Sequence, residues 1–125
     1  MAGSRRIHRV NDLLQEVANE VMRQVKDPAV EGALITITSV NVSPDLSSAR
    51  FYVTVMGKPV AEVVEGLNRA SGFFRREITR QVSLKRVPSI QFLYDDTLDH
   101  AMHMQKLLHQ VAQQTPPAEE EAEQS

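Results

Sequence analysis

The sequence contains no cysteine and no tryptophan among its 125 residues. Without cysteine, disulfide bridges, thiolate metal ligands and thiol nucleophiles are excluded. Aromatic residues make up only 5% of the chain, so few side chains could stack on nucleic-acid bases. No apolar run is long enough to span a bilayer, and the polar start Met-Ala-Gly-Ser-Arg-Arg has no signal-peptide core. We therefore expect a soluble, cytoplasmic protein.

Motifs for catalysis and nucleotide binding are also missing. The five glycines are scattered, and neither a phosphate-binding G-x-x-x-x-G-K-[ST] loop nor a serine elbow occurs. His100 and His103 lie one helical turn apart beside Asp96 and Asp99, but the pattern positions no third histidine and no cysteine. A solvated helix start explains them better. The sequence predicts no metal, no cofactor and no catalytic residue.

The charged residues are divided unevenly along the chain. Residues 1–86 carry thirteen lysines and arginines against nine acidic residues, whereas residues 87–125 carry one against seven. The acidic excess falls mainly in a tail, so it does not cancel the field of the basic part. This asymmetry favours a polyanionic partner.

Apolar periodicity predicts seven elements. The first is a helix over Ile7–Val25, which stops at Asp27-Pro28. Strands 34–42 and 49–56 then form an antiparallel hairpin. Pro59 begins a second helix, which continues through Leu67. A helix bearing arginines, a strand with Ile90, Phe92 and Tyr94 alternating, and a final helix from Asp96 or Thr97 follow. We expect the apolar residues of that final helix to pack into a core.

The order of these elements predicts an α+β fold, with a three-stranded sheet carrying helices on one face. Residues 1–114 would form one domain. Residues 115–125, which are acidic and lack apolar anchors, would form a disordered tail.

The most informative stretch runs from Leu67 to Arg86. Placed on one helix, Leu67, Ala70, Phe74, Ile78 and Val82 share an apolar side, and Arg69, Arg76 and Arg80 share the opposite side. Glu77 is the only acidic residue in this stretch, so we expect these guanidinium groups to lack local carboxylate partners. Ser71 and Gly72, which are poor helix formers, predict a kink whose free N–H groups would suit a phosphate.

These residues, together with others along the chain, resemble the bacterial ribosome-binding factor A family. The resemblance covers most of residues 5–96. It is carried by Arg6, Arg9, Lys26-Asp27-Pro28, Val40, Val42, Ser43, Asp45-Leu46, Ala49, Ala70-Ser71-Gly72, Arg75, Leu84-Lys85-Arg86, Pro88, Phe92 and Asp95-Asp96.

The resemblance implies a type II KH-like domain in which an Ala-x-Gly kink replaces the usual Gly-x-x-Gly loop. It also implies a non-enzymatic factor, monomeric when free, that binds the free small (30S) ribosomal subunit through 16S rRNA. Neighbouring ribosomal proteins could add contacts, and roles in rRNA processing and cold adaptation are implied too. The RNA-binding residues would be Arg5, Arg6, Arg9, Arg69, Ala70, Ser71, Gly72, Arg75, Arg76, Arg80, Lys85 and Arg86.

Other interpretations of the same residues stay open at this point. The arginines could simply solubilise a surface helix, or they could meet an acidic protein surface, which would make the chain a protein-binding adaptor. An enzyme on a small α+β scaffold is a third alternative. Phe73 is the only candidate for base stacking near the arginines, and it could either stack on a base or support the kink.

Overall fold

The computed structural model describes the backbone of residues 2–114 and the side chains of residues 5–113. The acidic tail expected over residues 115–125 lies outside the described residues. Every predicted helix and strand is present, which confirms the α+β class. The elements are α1 (Ala2–Val21), a short 3₁₀ helix (Met22–Gln24), β1 (Leu34–Val42), β2 (Ser48–Met56), α2 (Val60–Arg69), α3 (Ser71–Gln81), β3 (Ser89–Tyr94) and α4 (Thr97–Gln114).

The described chain divides into two units, one ending at Asp95 and one beginning at Asp96. The prediction of a single domain over residues 1–114 therefore stays a prediction. Within the described residues, no helix is both long enough and apolar enough to cross a bilayer.

The second unit contains α4, an amphipathic helix. The apolar side chains of Leu98, Met102 and Leu108 are exposed, by 64%, 59% and 64%. The expectation that they pack into a core stays a prediction; the hydrophobic core of the first unit lies between Val10 and Phe92. Apolar spacing identified the helix correctly, but spacing alone does not specify what covers an apolar face.

The first unit contains a three-stranded sheet in the order β1-β2-β3. β1 and β2 pair as an antiparallel hairpin, with Val40 opposite Phe51, and a bulge at Thr38 shifts the register between Ile37 and Ser39. β2 and β3 pair in parallel, with Phe51 opposite Phe92. Parallel neighbours need a long crossover, and α2 and α3 provide it.

One face of this sheet is buried beneath helices α1, α2 and α3. α1 packs against β1 and α3, while α2 and α3 pack against β3. Phe51, Phe74 and Phe92 are at most 1% exposed. The Phe92 ring lies 5.5 Å from the Phe51 ring and 4.8 Å from the Phe74 ring, within the range of favourable aromatic contact. This aromatic row joins α3 to the sheet.

Asparagine side chains from the helices cover both edges of the sheet. In α1, Asn19 accepts from Ile37 N–H at 2.9 Å and donates to Ile37 C=O at 3.3 Å. In α2, Asn68 accepts from Phe92 N–H at 2.8 Å and donates to Phe92 C=O at 3.0 Å. An edge strand otherwise leaves such groups unpaired. These two side chains therefore satisfy edge backbone groups and fix two helices on the sheet.

Replacing Asn68 with alanine should destabilise the fold. The change leaves the N–H and C=O of Phe92 without their side-chain partner, which costs about 1–3 kcal/mol for poorly solvated groups. Asn41→Ala is the matched control because Asn41 is exposed on the same sheet. Urea unfolding should show a clearly lower midpoint for Asn68→Ala than for Asn41→Ala. Equal midpoints would mean that water replaces Asn68.

Candidate nucleic-acid interface

Helices α2 and α3 meet at a break of a single residue, Ala70, whose φ is −90° and ψ is 7°. Hydrogen bonding continues through the break. Ala70 N–H donates to Gly66 C=O at 3.1 Å and to Leu67 C=O at 3.0 Å, and Phe74 N–H donates to Ala70 C=O at 3.0 Å. The predicted kink is present, centred on Ala70. The N–H groups of Ser71 and Gly72 follow it in the first turn of α3.

The outer side of α3 carries three of the nine predicted cations. Phe74 and Ile78 are fully buried, so helical geometry turns the arginines of this helix outward. Arg75, Arg76 and Arg80 are exposed. We call this surface the α3 face; it is a shallow cavity of about 370 Å³ lined by Gly72, Arg75, Arg76, Thr79 and Arg80.

Like Arg75, Arg76 is a cation of the α3 face that no carboxylate neutralises within the described residues. Its guanidinium carbon lies 5.9 Å from the centre of the Phe73 ring, which is a cation–π contact. Within residues 5–113, no carboxylate forms an ion pair with Arg76. The Phe73 ring thus positions the Arg76 guanidinium group without neutralising its charge.

Arg80 and Arg69 do have carboxylate partners, so the expectation of unpaired guanidinium groups is wrong for both. Arg80 lies 3.2 Å from Glu77, one helical turn away, although its side chain remains 72% exposed. Arg69 is bound more firmly. Its Nε and Nη2 atoms donate to Oδ2 and Oδ1 of Asp27, each at 3.1 Å, and Glu65 lies 3.6 Å away. Arg80 is therefore held by one carboxylate, while two carboxylates hold Arg69.

The bidentate Arg69–Asp27 pair joins the end of α2, next to the kink, to the turn that follows α1. The hydrogen bond from Arg69 lowers the pKa of Asp27, as does the bond of 2.9 Å from the Ala29 N–H. Asp27 is 42 residues away in sequence from Arg69. Proximity along the chain could not reveal this partner.

Gly66 allows this close approach, because α2 passes directly over the turn after α1. A Cβ atom at Gly66 would lie 2.9 Å from Cγ2 of Val30 and 3.1 Å from Oδ1 of Asp27. At Gly72, by contrast, nothing lies within 4 Å of such an atom. The two glycines therefore serve different purposes: Gly66 permits packing, and Gly72 leaves the α3 face open.

Alanine substitutions should separate these two glycines. Gly66→Ala should lower the free energy of unfolding by about 1–3 kcal/mol, the usual cost of overpacking. Gly72→Ala should leave stability unchanged or raise it by up to about 1 kcal/mol, the helix-propensity difference. Chemical denaturation of both variants measures this. If Gly66→Ala were as stable as wild type, the turn after α1 would be able to shift and accommodate the added Cβ atom with little loss of free energy.

Arg75 connects the α3 face to the loop that precedes β3. Its Nε atom donates to the C=O of Val87 at 3.2 Å. Lys85 and Arg86 are exposed in the same loop. Arg75 thereby fixes the position of a second group of cations relative to α3.

That second group, the loop cluster, consists of Arg6, Lys85 and Arg86. They line a cavity of about 350 Å³ together with Val10, Leu84 and two residues of the β1–β2 loop, Asp45 and Leu46. The fold thus brings Arg6, near the start of α1, to the loop before β3. Arg5 and Arg9 are exposed on α1 but do not line this cavity.

The β1–β2 loop that supports the loop cluster is organised by one carboxylate. Asp45 accepts from the hydroxyls of Ser47 and Ser43 at 2.7 Å and 2.8 Å, and from the N–H of Ser47 at 3.1 Å. These bonds lower the pKa of Asp45 to about 2. The same loop contains Leu46, whose φ of 61° is positive and therefore unusual for a residue other than glycine.

The Asp45 bonds predict a specific acid dependence. Because the pKa is lower in the folded state than its ordinary value of 3.8, ionised Asp45 stabilises the fold above about pH 4. That contribution should be lost as the pH falls from about 4 to 2, and Asp45→Asn should lose it at every pH. NMR titration of the Asp45 carboxyl checks this. A midpoint near 3.8 would contradict the hydrogen-bonded turn.

Comparison with known proteins identifies the family. The model of the family described as ribosome-binding factor A matches residues 6–108. The chain belongs to this family. It is 38% identical to the ribosome-binding factor A of Acinetobacter baumannii, over 98% of this chain and 99% of that one. Members are ribosome-binding factors, so the family is one of binding proteins.

Solved structures support the same fold. The crystal structure of ribosome-binding factor A from Thermus thermophilus aligns with a TM-score of 0.65 and 24% identity, over 70% of this chain and 93% of that one. A homology model of the Thermus thermophilus factor, fitted into a cryo-EM map of a 30S complex, aligns with a TM-score of 0.57 and 25% identity, over 66% and 88% of the two chains. The KH-like description fits these structures.

Two residues important to the site were not predicted as such. The sequence pattern indicates Asp27 only as part of a helix stop, and it assigns no role to Asn68. A polar residue that interrupts an otherwise apolar helix side, as Asn68 does beside Leu67, is the kind of signal that could have identified it. No local signal connects Asp27 to Arg69.

Proposed function

We propose that this protein binds the free small ribosomal subunit through 16S rRNA and assists its maturation. The observation that carries the proposal is the α3 face. There, exposed arginines run along a helix that packs on the sheet, and Arg76 has no carboxylate partner within the described residues. A rigid cationic surface of this kind matches the phosphate backbone of folded RNA.

The geometry favours RNA over a simple solubilising role. Arginine binds phosphate with a planar fork of donors, and the positive end of α3 adds to its field near Gly72. The loop cluster supplies Arg6, Lys85 and Arg86 as further contacts. With few aromatic side chains, we expect recognition mainly through RNA shape and backbone.

The family gives the proposal its partner. The Thermus thermophilus factor is described in a complex with the 30S subunit, and we extend that partner to this chain. We further propose that the bound protein holds an immature rRNA junction in one arrangement, supports rRNA processing, and matters most in the cold, where misfolded RNA is slow to rearrange. Such a factor would act in the cytoplasm, as a monomer before it binds.

Charge reversal on the α3 face tests the proposal. Arg76→Glu, alone and with Arg80→Glu, should weaken co-sedimentation with purified small subunits at least tenfold, because phosphate contacts become repulsions. Each lost contact should also reduce the slope of log affinity against log salt by roughly 0.7–0.9. Thermal unfolding should change little, since both side chains are exposed.

Arg50→Glu is the matched control, since it makes the same charge change at an exposed residue of β2. It should bind nearly as wild type. If Arg50→Glu and Arg76→Glu lost the same amount of binding affinity, net charge alone would explain the effect, and a specific interface would be contradicted. Binding that excess 16S rRNA fragments fail to compete would instead favour an acidic protein surface as the target.

A further inference from the structure

A further cavity lies beside the α3 face, and part of its lining is apolar and therefore unsuited to binding phosphate. It has a volume of about 740 Å³ and lies between the end of α1 and the kink. Its apolar wall consists of Val25, Ala70 and Phe73. An open cavity of this size has room for a flat ring system, since pockets for small organic groups span about 300–1,000 Å³.

The rim of the cavity is polar and largely cationic. Arg23 and Lys26, both exposed, line it together with the Arg69–Asp27 pair. The Asp27 carboxylate would repel an anion, but two hydrogen bonds from Arg69 compensate its charge. The excess charge at the rim therefore comes from Arg23 and Lys26. An aromatic wall beside free cations suits a ligand with a flat ring and an attached anion.

Phe73 connects this cavity to the α3 face. The ring is only partly buried, packs edge-on against the Phe74 ring at 6.3 Å, and carries the Arg76 guanidinium at 5.9 Å. The same residue thus borders both a cavity and the arginine that we assign to phosphate. A polynucleotide whose backbone follows Arg76 could place a neighbouring base beside Phe73.

Resting on the proposed function, we infer that this cavity accepts one unstacked nucleobase of the bound RNA. Phe73 provides the stacking surface, Val25 and Ala70 enclose the base, and Arg23 and Lys26 meet the flanking phosphates. The α3 face then fixes the backbone, while the cavity selects RNA that has a base free to leave its stack. A fully paired helix offers no such base.

Mononucleotides test the cavity in the unmodified protein. NMR spectra recorded with adenosine 5′-monophosphate should show shifts of the Val25 and Ala70 methyl signals and of the Phe73 ring signals. Ribose 5-phosphate, which has the phosphate and sugar without the base, should leave those signals in place. Equal shifts with both compounds, or no shift at these three residues with either, would overturn the inference.

Removing the ring tests the cavity on the subunit. Phe73→Leu keeps an apolar side chain at the kink, and it should weaken binding to small subunits by about 5- to 100-fold, as expected for one lost base–aromatic stack. Its salt slope should match wild type, because no phosphate contact is lost. Phe73→Tyr keeps the ring face and should bind as wild type. Thermal unfolding of each variant verifies that it is folded.

The outcomes separate the two proposals. If the wild-type protein fails to sediment with small subunits, the proposed function is wrong. If the wild type binds and folded Phe73→Leu binds equally well, the function stands and the base cavity is wrong. If Phe73→Leu loses affinity together with salt dependence, the ring acts only by positioning Arg76, and the cavity inference is likewise overturned.

Discussion

The packing of Phe74 against Phe92 is the constraint on which the rest of the site depends. The two rings lie 4.8 Å apart in the core, and both side chains are almost fully buried. Once Phe74 is fixed, the rotation of α3 about its axis is fixed too. Helical geometry then turns Arg75, Arg76 and Arg80 outward and leaves Phe73 at the boundary. Hydrophobic packing inside thereby determines where charge lies outside.

Polar contacts reinforce this orientation at the two ends of the kink. Asn68 binds both backbone groups of Phe92, and Arg69 binds Asp27 across the turn after α1. Arg75 donates to the Val87 carbonyl and so holds the loop before β3 against α3. A surface fixed at three points loses little conformational freedom on binding, so more of its interaction free energy remains available for affinity. Of the three positions, only Arg75 also contributes a cation to the α3 face.

Similar arginines therefore have different roles in one short segment. Arg69 has a bidentate carboxylate partner, Arg80 a single exposed one, and Arg76 an aromatic ring in place of a carboxylate. All three share one side of an ideal helix, which is why the sequence pattern grouped them. Their contacts differ because the helix breaks at Ala70 and because the fold places Asp27 beside Arg69. The same tertiary contacts create the cavity beside Phe73, which no linear motif encodes.

The sequence by itself determined the order of helices and strands, the apolar stripe from Leu67 to Ile78 and the cationic character of the segment. These features depend on contacts and periodicities within a few residues. Only the tertiary structure decided which cations stay available, since Asp27 reaches Arg69 from 42 positions away. It also decided that Gly66 permits packing whereas Gly72 faces open space. The physical reason is that hydrogen bonds and van der Waals contacts act at a few ångströms in space, regardless of separation along the chain.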